Sequence, residues 1–92
     1  MMIEWHFLIH DEPHYVILQH TQDLKSKTTR MLWVDGKERY NAKSSTSSFK
    51  IDIGKNIVIV SIFHRTQYQY RLTINNMPYE KYHKKQEKKT TK

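Results

Sequence analysis

Tyr68, Tyr70, Leu72 and Ile74 alternate with Gln69, Arg71, Thr73 and Asn75. A strict period of two places the first set on one face of a strand and the second on the other. Phe49, Ile51 and Ile53 share a face in the same way, with Lys50 and Asp52 opposite. Residues 57–63, IVIVSIF, are apolar on both faces and rich in β-branched side chains, which predicts a central strand covered on both sides. HYVILQH (14–20), RMLWV (30–34) and WHFLIH (5–10) complete the strand-like runs, although the spacing in the last also permits a helical turn.

Turn chemistry separates these runs. Asp11, Glu12 and Pro13 break the first from the second, and TQDLKSKT (21–28) makes a long polar loop. Asp35-Gly36 is a strong signal for a two-residue hairpin, because a type I′ turn needs positive φ at both central residues. Gly54-Lys55-Asn56 closes another hairpin, and Asn75-Asn76 a third, since Asn tolerates the left-handed region. KSSTSS (43–48) is a flexible connector. The chain is therefore expected to be all-β: a compact antiparallel β-sandwich of about seven to eight short strands over residues 1–80, in meander-like order, followed by a basic C-terminal tail over residues 81–92. No internal repeat is visible in the sequence.

Composition narrows the function classes. Ninety-two residues make one domain. There is no cysteine, which excludes disulfides, thiolate metal sites and cysteine nucleophiles and fits a reducing, cytoplasmic setting. No apolar run approaches a membrane span, and MMIEWHFLIH lacks the basic n-region and small-residue cleavage site of a signal peptide. The net charge of +7 is concentrated in the tail, where KYHKKQEKKTTK carries six Lys and one Glu. The rest of the chain is nearly balanced. Such a tail attracts phosphate or acidic protein without sequence readout, and it also serves as a plain solubilising end.

Catalytic chemistry is sparse. There is no G-x-S-x-G, Gly-rich phosphate loop or H-E-x-x-H. Asp11-Glu12 is expected to be turn chemistry, and Asp52 to point from a polar face within reach of Lys50 or Arg71. Six histidines are present: His6, His10, His14, His20, His64 and His83. A metal needs several ligands converging on one point. On a strand His6 and His10 share a face but stand about 13 Å apart, so they cannot chelate one ion. No catalytic residue, metal site or cofactor is assigned. Tyr79 and Tyr82, with Lys84, Lys85, Lys88 and Lys89, form a basic aromatic segment suited to partner binding or single-stranded nucleic acid. Tyr68 and Tyr70 are expected to pack inward with Leu72 and Ile74. Trp33 is expected to pack in the core or on a sheet face.

An ordered series of residues carries a family resemblance. Trp5 is followed by His14 and His20, then by Arg30, Met31-Leu32-Trp33 and Val34-Asp35-Gly36-Lys37-Glu38. Later comes YQYRLTINNMPYEKY (68–82), with Tyr68, Tyr70, Leu72, Ile74, Asn75, Lys81 and Tyr82 at matching positions. The series, which spans Trp5 to Tyr82, resembles the N-terminal domain of the Fas apoptotic inhibitory molecule family. The segment between Glu38 and Phe49 is shorter than in the family, the loop before Arg30 is longer, and Asn76 stands where a turn glycine is usual. Family members carry two such domains, whereas this chain spans one and then its basic tail. The resemblance implies a cytosolic, non-catalytic β-sandwich from a family associated with resistance to death-receptor apoptosis and protection against aggregation. The expected function is a non-enzymatic protein-interaction module docking through a sheet face or edge. The alternative is a small structural subunit of a large assembly, its tail on acidic protein or RNA. Protein partners are expected, membrane association is not, and homo-oligomerisation is compatible with exposed sheet edges.

Overall fold

A computed structural model describes residues 1–22, 28–42, 47–64 and 66–82. The chain is all-β and antiparallel, and its described residues form eight strands: β1 Met2–Ile9, β2 Glu12–Gln22, β3 Thr28–Val34, β4 Lys37–Ala42, β5 Ser48–Ile53, β6 Asn56–His64, β7 Tyr68–Ile74 and β8 Met77–Pro78. They form two four-stranded meanders, β1-β2-β3-β4 and β5-β6-β7-β8, which lie in two units, Met1–Thr46 and Ser47–Lys92. Residues 79–82 make one short helical turn after β8, across the expected boundary between residues 80 and 81. Parts of the polar loop and of the serine-rich connector lie outside the described residues.

Each meander buries one face. In the first, Trp5, Phe7, Ile9, Val16, Leu18, Leu32 and Val34 are buried. In the second, Phe49, Ile51, Val58, Val60, Ile62, Leu72 and Ile74 are buried. The alternation of the sequence supplies both sets, because a pleated strand sends successive side chains to opposite faces. Tyr68 and Tyr70 are half-buried on the same side as Leu72 and Ile74, as their spacing predicts.

Two turns differ from expectation. Ile9 pairs with Glu12, so His10 and Asp11 alone close the first hairpin, with φ of 52° and 64°. Glu12 and Pro13 belong to β2. Pro13 is tolerated near the start of the strand. Ile53 pairs with Asn56, so Gly54-Lys55 is the whole of the β5–β6 turn. Strand β6 is interior to its sheet, as predicted, but it is not covered on both faces: Ile57 is 39% exposed and Phe63 42%. An antiparallel sheet can leave one face to solvent, so apolar residues on both sides of a strand do not require two covers.

The two meanders repeat one another, although the sequence shows no repeat. A rung Trp5–Val16–Val34 in the first corresponds to Ile51–Val58–Ile74 in the second. The next rung, Ile3–Leu18–Leu32, corresponds to Phe49–Val60–Leu72. The backbone N–H of His20 donates to Met1 O at 2.9 Å, and that of Ile62 donates to Ser47 O at 2.8 Å, which closes equivalent corners. One rung breaks the equivalence in chemistry: His20 opposite Arg30 takes the place of Ile62 opposite Tyr70.

Candidate interaction surface

The VDGKE turn is held by its aspartate. Asp35 and Gly36 have φ of 52° and 85°, as a type I′ turn requires. The Asp35 N–H donates to Tyr15 O at 2.9 Å, and Asp35 Oδ1 accepts from the Tyr15 N–H at 2.9 Å. The carboxylate thus supplies the acceptor for the last rung of the β2–β3 ladder. Oδ2 lies 2.8 Å from His14 Nδ1. A Cβ on Gly36 would sit 3.0 Å from the Tyr15 hydroxyl oxygen, a second reason for glycine besides its φ.

Asn75 does the same work in the second meander. Asn75 and Asn76 have φ of 50° and 66°. The Asn75 N–H donates to Ile57 O at 2.8 Å, Oδ1 accepts from the Ile57 N–H at 2.9 Å, and Nδ2 donates to Asn56 Oδ1 at 2.9 Å. Asp35, Gly36, Asn75 and Asn76 are therefore turn residues with structural work, as the sequence predicts. The side-chain clamp is visible only in three dimensions.

The open face of the second meander exposes two large apolar side chains, Ile57 and Phe63. Ile57, Ile59 and Phe63 point to it from β6. Across the ladders, Lys50 is opposite Ile59, Asp52 opposite Ile57, Arg71 opposite Ser61 and Gln69 opposite Phe63. The Arg71 guanidinium lies over the Phe63 ring, 5.1 Å from its centroid, a cation–π geometry. An exposed apolar row is therefore flanked by two cations and one carboxylate. The apolar run over residues 57–63 predicts a strand covered on both sides, which would place Ile57, Ile59 and Phe63 inside. The signal that could have placed them outside is their register against Lys50 and Arg71.

The open face of the first meander mixes apolar and polar side chains: Met2 and Leu8 from β1, Tyr15 and Ile17 from β2 and Met31 and Trp33 from β3 lie on the same side as Glu4, His6 and Gln19. His6 stacks on Tyr15 with centroids 5.8 Å apart, and its Nε2 lies 3.2 Å from Glu4 Oε2. Trp33 is half-buried on this face, opposite in direction to Leu32 and Val34, so it packs on the sheet and not in the core. Tyr79 and Tyr82 are half-buried in the helical turn. Lys84, Lys85, Lys88 and Lys89 lie outside the described residues.

The described histidines do not converge. His10 occupies a turn, His14 meets Asp35 and stacks on Phe7, and His64 packs against Tyr68 at 4.4 Å between centroids. Among the described residues no group of three His, Cys, Asp or Glu could hold a metal ion. His20 is the exception to surface placement, being only 7% exposed, and Arg30 opposite it is 6% exposed. Burial, then the Arg30 guanidinium, then the N-terminal ammonium hold the His20 pKa below its ordinary value. The ammonium is close because it donates to His20 O at 3.0 Å.

That shift has a pH consequence. The folded state binds fewer protons at His20 than the unfolded state does. Its contribution is whole above the unfolded value of about 6.5 and is lost as pH falls from there toward the lowered folded value. The expected slope from this one group is at most about 1.4 kcal/mol per pH unit. Denaturant unfolding of the wild type and of His20→Gln between pH 5 and 8 will show the slope in the former and its reduction in the latter. Identical slopes would remove His20 from the account.

Among the described residues no helix is long and apolar enough to cross a membrane. Neither a curated protein nor a solved structure matches the chain. The family model for Fas apoptotic inhibitory molecule (FAIM1) matches residues 1–92. That match agrees with the ordered series of residues from Trp5 to Tyr82 and with the antiparallel all-β structure. The chain belongs to the Fas apoptotic inhibitory molecule family.

Proposed function

We propose that this chain is a non-enzymatic, cytoplasmic protein-interaction module that docks through an open sheet face. One observation supports it above the others: the row Ile57, Ile59 and Phe63, with two of its members more than a third exposed, beside Lys50 and Arg71. Apolar surface of this kind is a favourable place to exclude water, and flanking cations orient the partner. The fitting occupant is an acidic protein segment with apolar side chains, its carboxylates toward Lys50 and Arg71. Asp52 at one end of the row sets a boundary, since it repels acidic residues there. Lys84, Lys85, Lys88 and Lys89 add long-range attraction of the same sign. Non-catalytic function accords with membership of a family not known for enzymes. A part in apoptosis regulation comes into this reading through the family alone.

The alternative reading, a subunit held in a large assembly by its basic tail on acidic protein or RNA, rests on the six lysines of residues 81–92. Affinity capture from nuclease-treated native extract separates the two. Three full-length proteins are compared: the wild type, an Ile57→Glu/Phe63→Glu variant, and a variant with Lys84, Lys85, Lys88 and Lys89 each changed to Gln. The face reading expects a defined set of proteins that survives nuclease and is lost with the two glutamates. Retention of the whole set by that variant sinks it. Loss on lysine substitution alone, with a steep salt dependence, supports the tail reading.

A further inference from the structure

We infer that copies of this chain associate head to tail: the open face of the first meander in one copy docks on the open face of the second meander in the next. The inference rests on the docking-face reading and deepens it, since the acidic, apolar occupant which that reading asks for is a surface of the same chain.

The first meander carries this occupant on one rung. Glu4, Ile17, Trp33 and Glu38 stand in register across β1, β2, β3 and β4. They share the open face, because Trp5, Val16 and Val34, their neighbours in sequence, point to the buried one. Ile17 and Trp33 are half-buried in the middle, and the two carboxylates are exposed on the edge strands. The equivalent rung of the second meander is Lys50, Ile59, Thr73 and Pro78. One place in the repeat therefore holds a glutamate on β1 and a lysine on β5, each beside an isoleucine. Arg71, exposed on the next rung, is the second cation. Glu4 and Lys50 also have interactions within their own chain. The match uses their charge at the surface, not an idle hydrogen-bonding group.

Neither face complements itself. On the first, Glu4 and Glu38 leave a net −1 even with Arg39, the extra residue at the β4 register shift, counted against them. On the second, Lys50 and Arg71 against Asp52 leave +1. Stacking either face on its own copy sets like charges together, and only the mixed stack sets opposite ones. The spacing agrees. Glu4 and Glu38 are three strand separations apart, about 14 Å, while Lys50 and Arg71 are two separations and two residues apart, about 12 Å. Long lysine and arginine side chains span that difference. Apolar side chains lie between the charges, Ile17 and Trp33 on one face and Ile59 on the other. Ile57 and Phe63, 39% and 42% exposed, extend the second face along β6, and Tyr15 and Met31 extend the first on either side of its rung. The stack sets apolar against apolar at its centre and carboxylates against cations at its rim, as a specific interface does. Two different faces meet, so the contact is heterologous, and each copy keeps one face for the next.

The two-faced contact supplies the test. Glu4→Lys/Glu38→Lys spoils the first face at exposed positions, and Ile57→Glu/Phe63→Glu spoils the second. Circular dichroism checks that each full-length variant is folded. Arg71→Glu replaces the glutamate pair should that variant unfold, and Glu38→Lys alone replaces the lysine pair. Sedimentation equilibrium is run on the wild type, on each variant and on their equimolar mixture. The wild type is expected to associate in steps that grow with concentration, and each variant alone about tenfold or more weakly. The mixture is expected to give a one-to-one dimer and nothing larger. The intact second face of one variant meets the intact first face of the other, and the two faces left over are both spoiled. A monomeric wild type, unweakened variants, or a mixture without that dimer overturns the inference. Its failure is distinguishable from that of the docking-face reading. If the wild type is monomeric while capture of other proteins still depends on residues 57 and 63, the head-to-tail contact falls and the docking face stands.

Discussion

Truncating Leu72 to alanine is expected to lower the unfolding free energy by about 2–5 kcal/mol. Leu72 is 1% exposed and stands directly across from Val60 in the middle of the second meander, with Phe49 on the next strand of the same rung. Removing its side chain loses the transfer free energy of the missing carbons and leaves a cavity that a close-packed rung refills only in part. Leu32 occupies the equivalent rung of the first meander and is equally buried, so Leu32→Ala is expected to fall in the same range. Phe63 supplies the contrast. It is larger than leucine but lies on the open face, so Phe63→Ala is expected to cost about 1 kcal/mol or less, chiefly its contact with Arg71. Urea unfolding followed by circular dichroism measures all three. A Leu72→Ala cost no greater than that of Phe63→Ala would mean that the buried and open faces of β7 and β6 have been assigned the wrong way round.

Much of this arrangement is legible in the sequence, and the limits of legibility have physical causes. Alternation locates β5 and β7 because an antiparallel strand with one buried face imposes a period of two on its residues. Asp35-Gly36 and Asn75-Asn76 are legible because positive φ admits few residue types. The sequence points to a first turn later than the real one because Pro13 is a strong breaker by itself, while His10 carries no comparable turn signal. The open face of β6 was hidden because IVIVSIF is apolar at every position but Ser61, so periodicity could not choose a side. The repeat of the two meanders was invisible for a related reason. What the repeat conserves is the position of turns and the side of burial. Trp5 against Ile51, or His20 against Ile62, fills the same place with different chemistry. The partners of Asp35 and Asn75 were beyond sequence reasoning because each contact closes across many residues and depends on strand register.

The clamp at Asp35 carries the other large expectation. Asp35→Ala should cost about 2–3 kcal/mol, and Asp35→Asn distinctly less. Two losses combine in the alanine variant. The Tyr15 N–H loses the acceptor it had at 2.9 Å, and alanine is less able than aspartate to hold a φ of 52°. Asparagine keeps the Oδ1 acceptor and the tolerance for that φ, so it loses only the charge-assisted contact with His14. Asn75→Ala should mirror the first result in the second meander, where the Ile57 N–H loses the equivalent acceptor. Amide hydrogen exchange locates each effect. Asp35→Ala should deprotect Tyr15 and leave Ile57 as it was, and Asn75→Ala should do the reverse. Equal costs for Asp35→Ala and Asp35→Asn would show that the side-chain acceptor does not close the ladder. The turn would then be held by its backbone alone, and the likeness between the Asp35 and Asn75 corners would be one of shape without shared energetics.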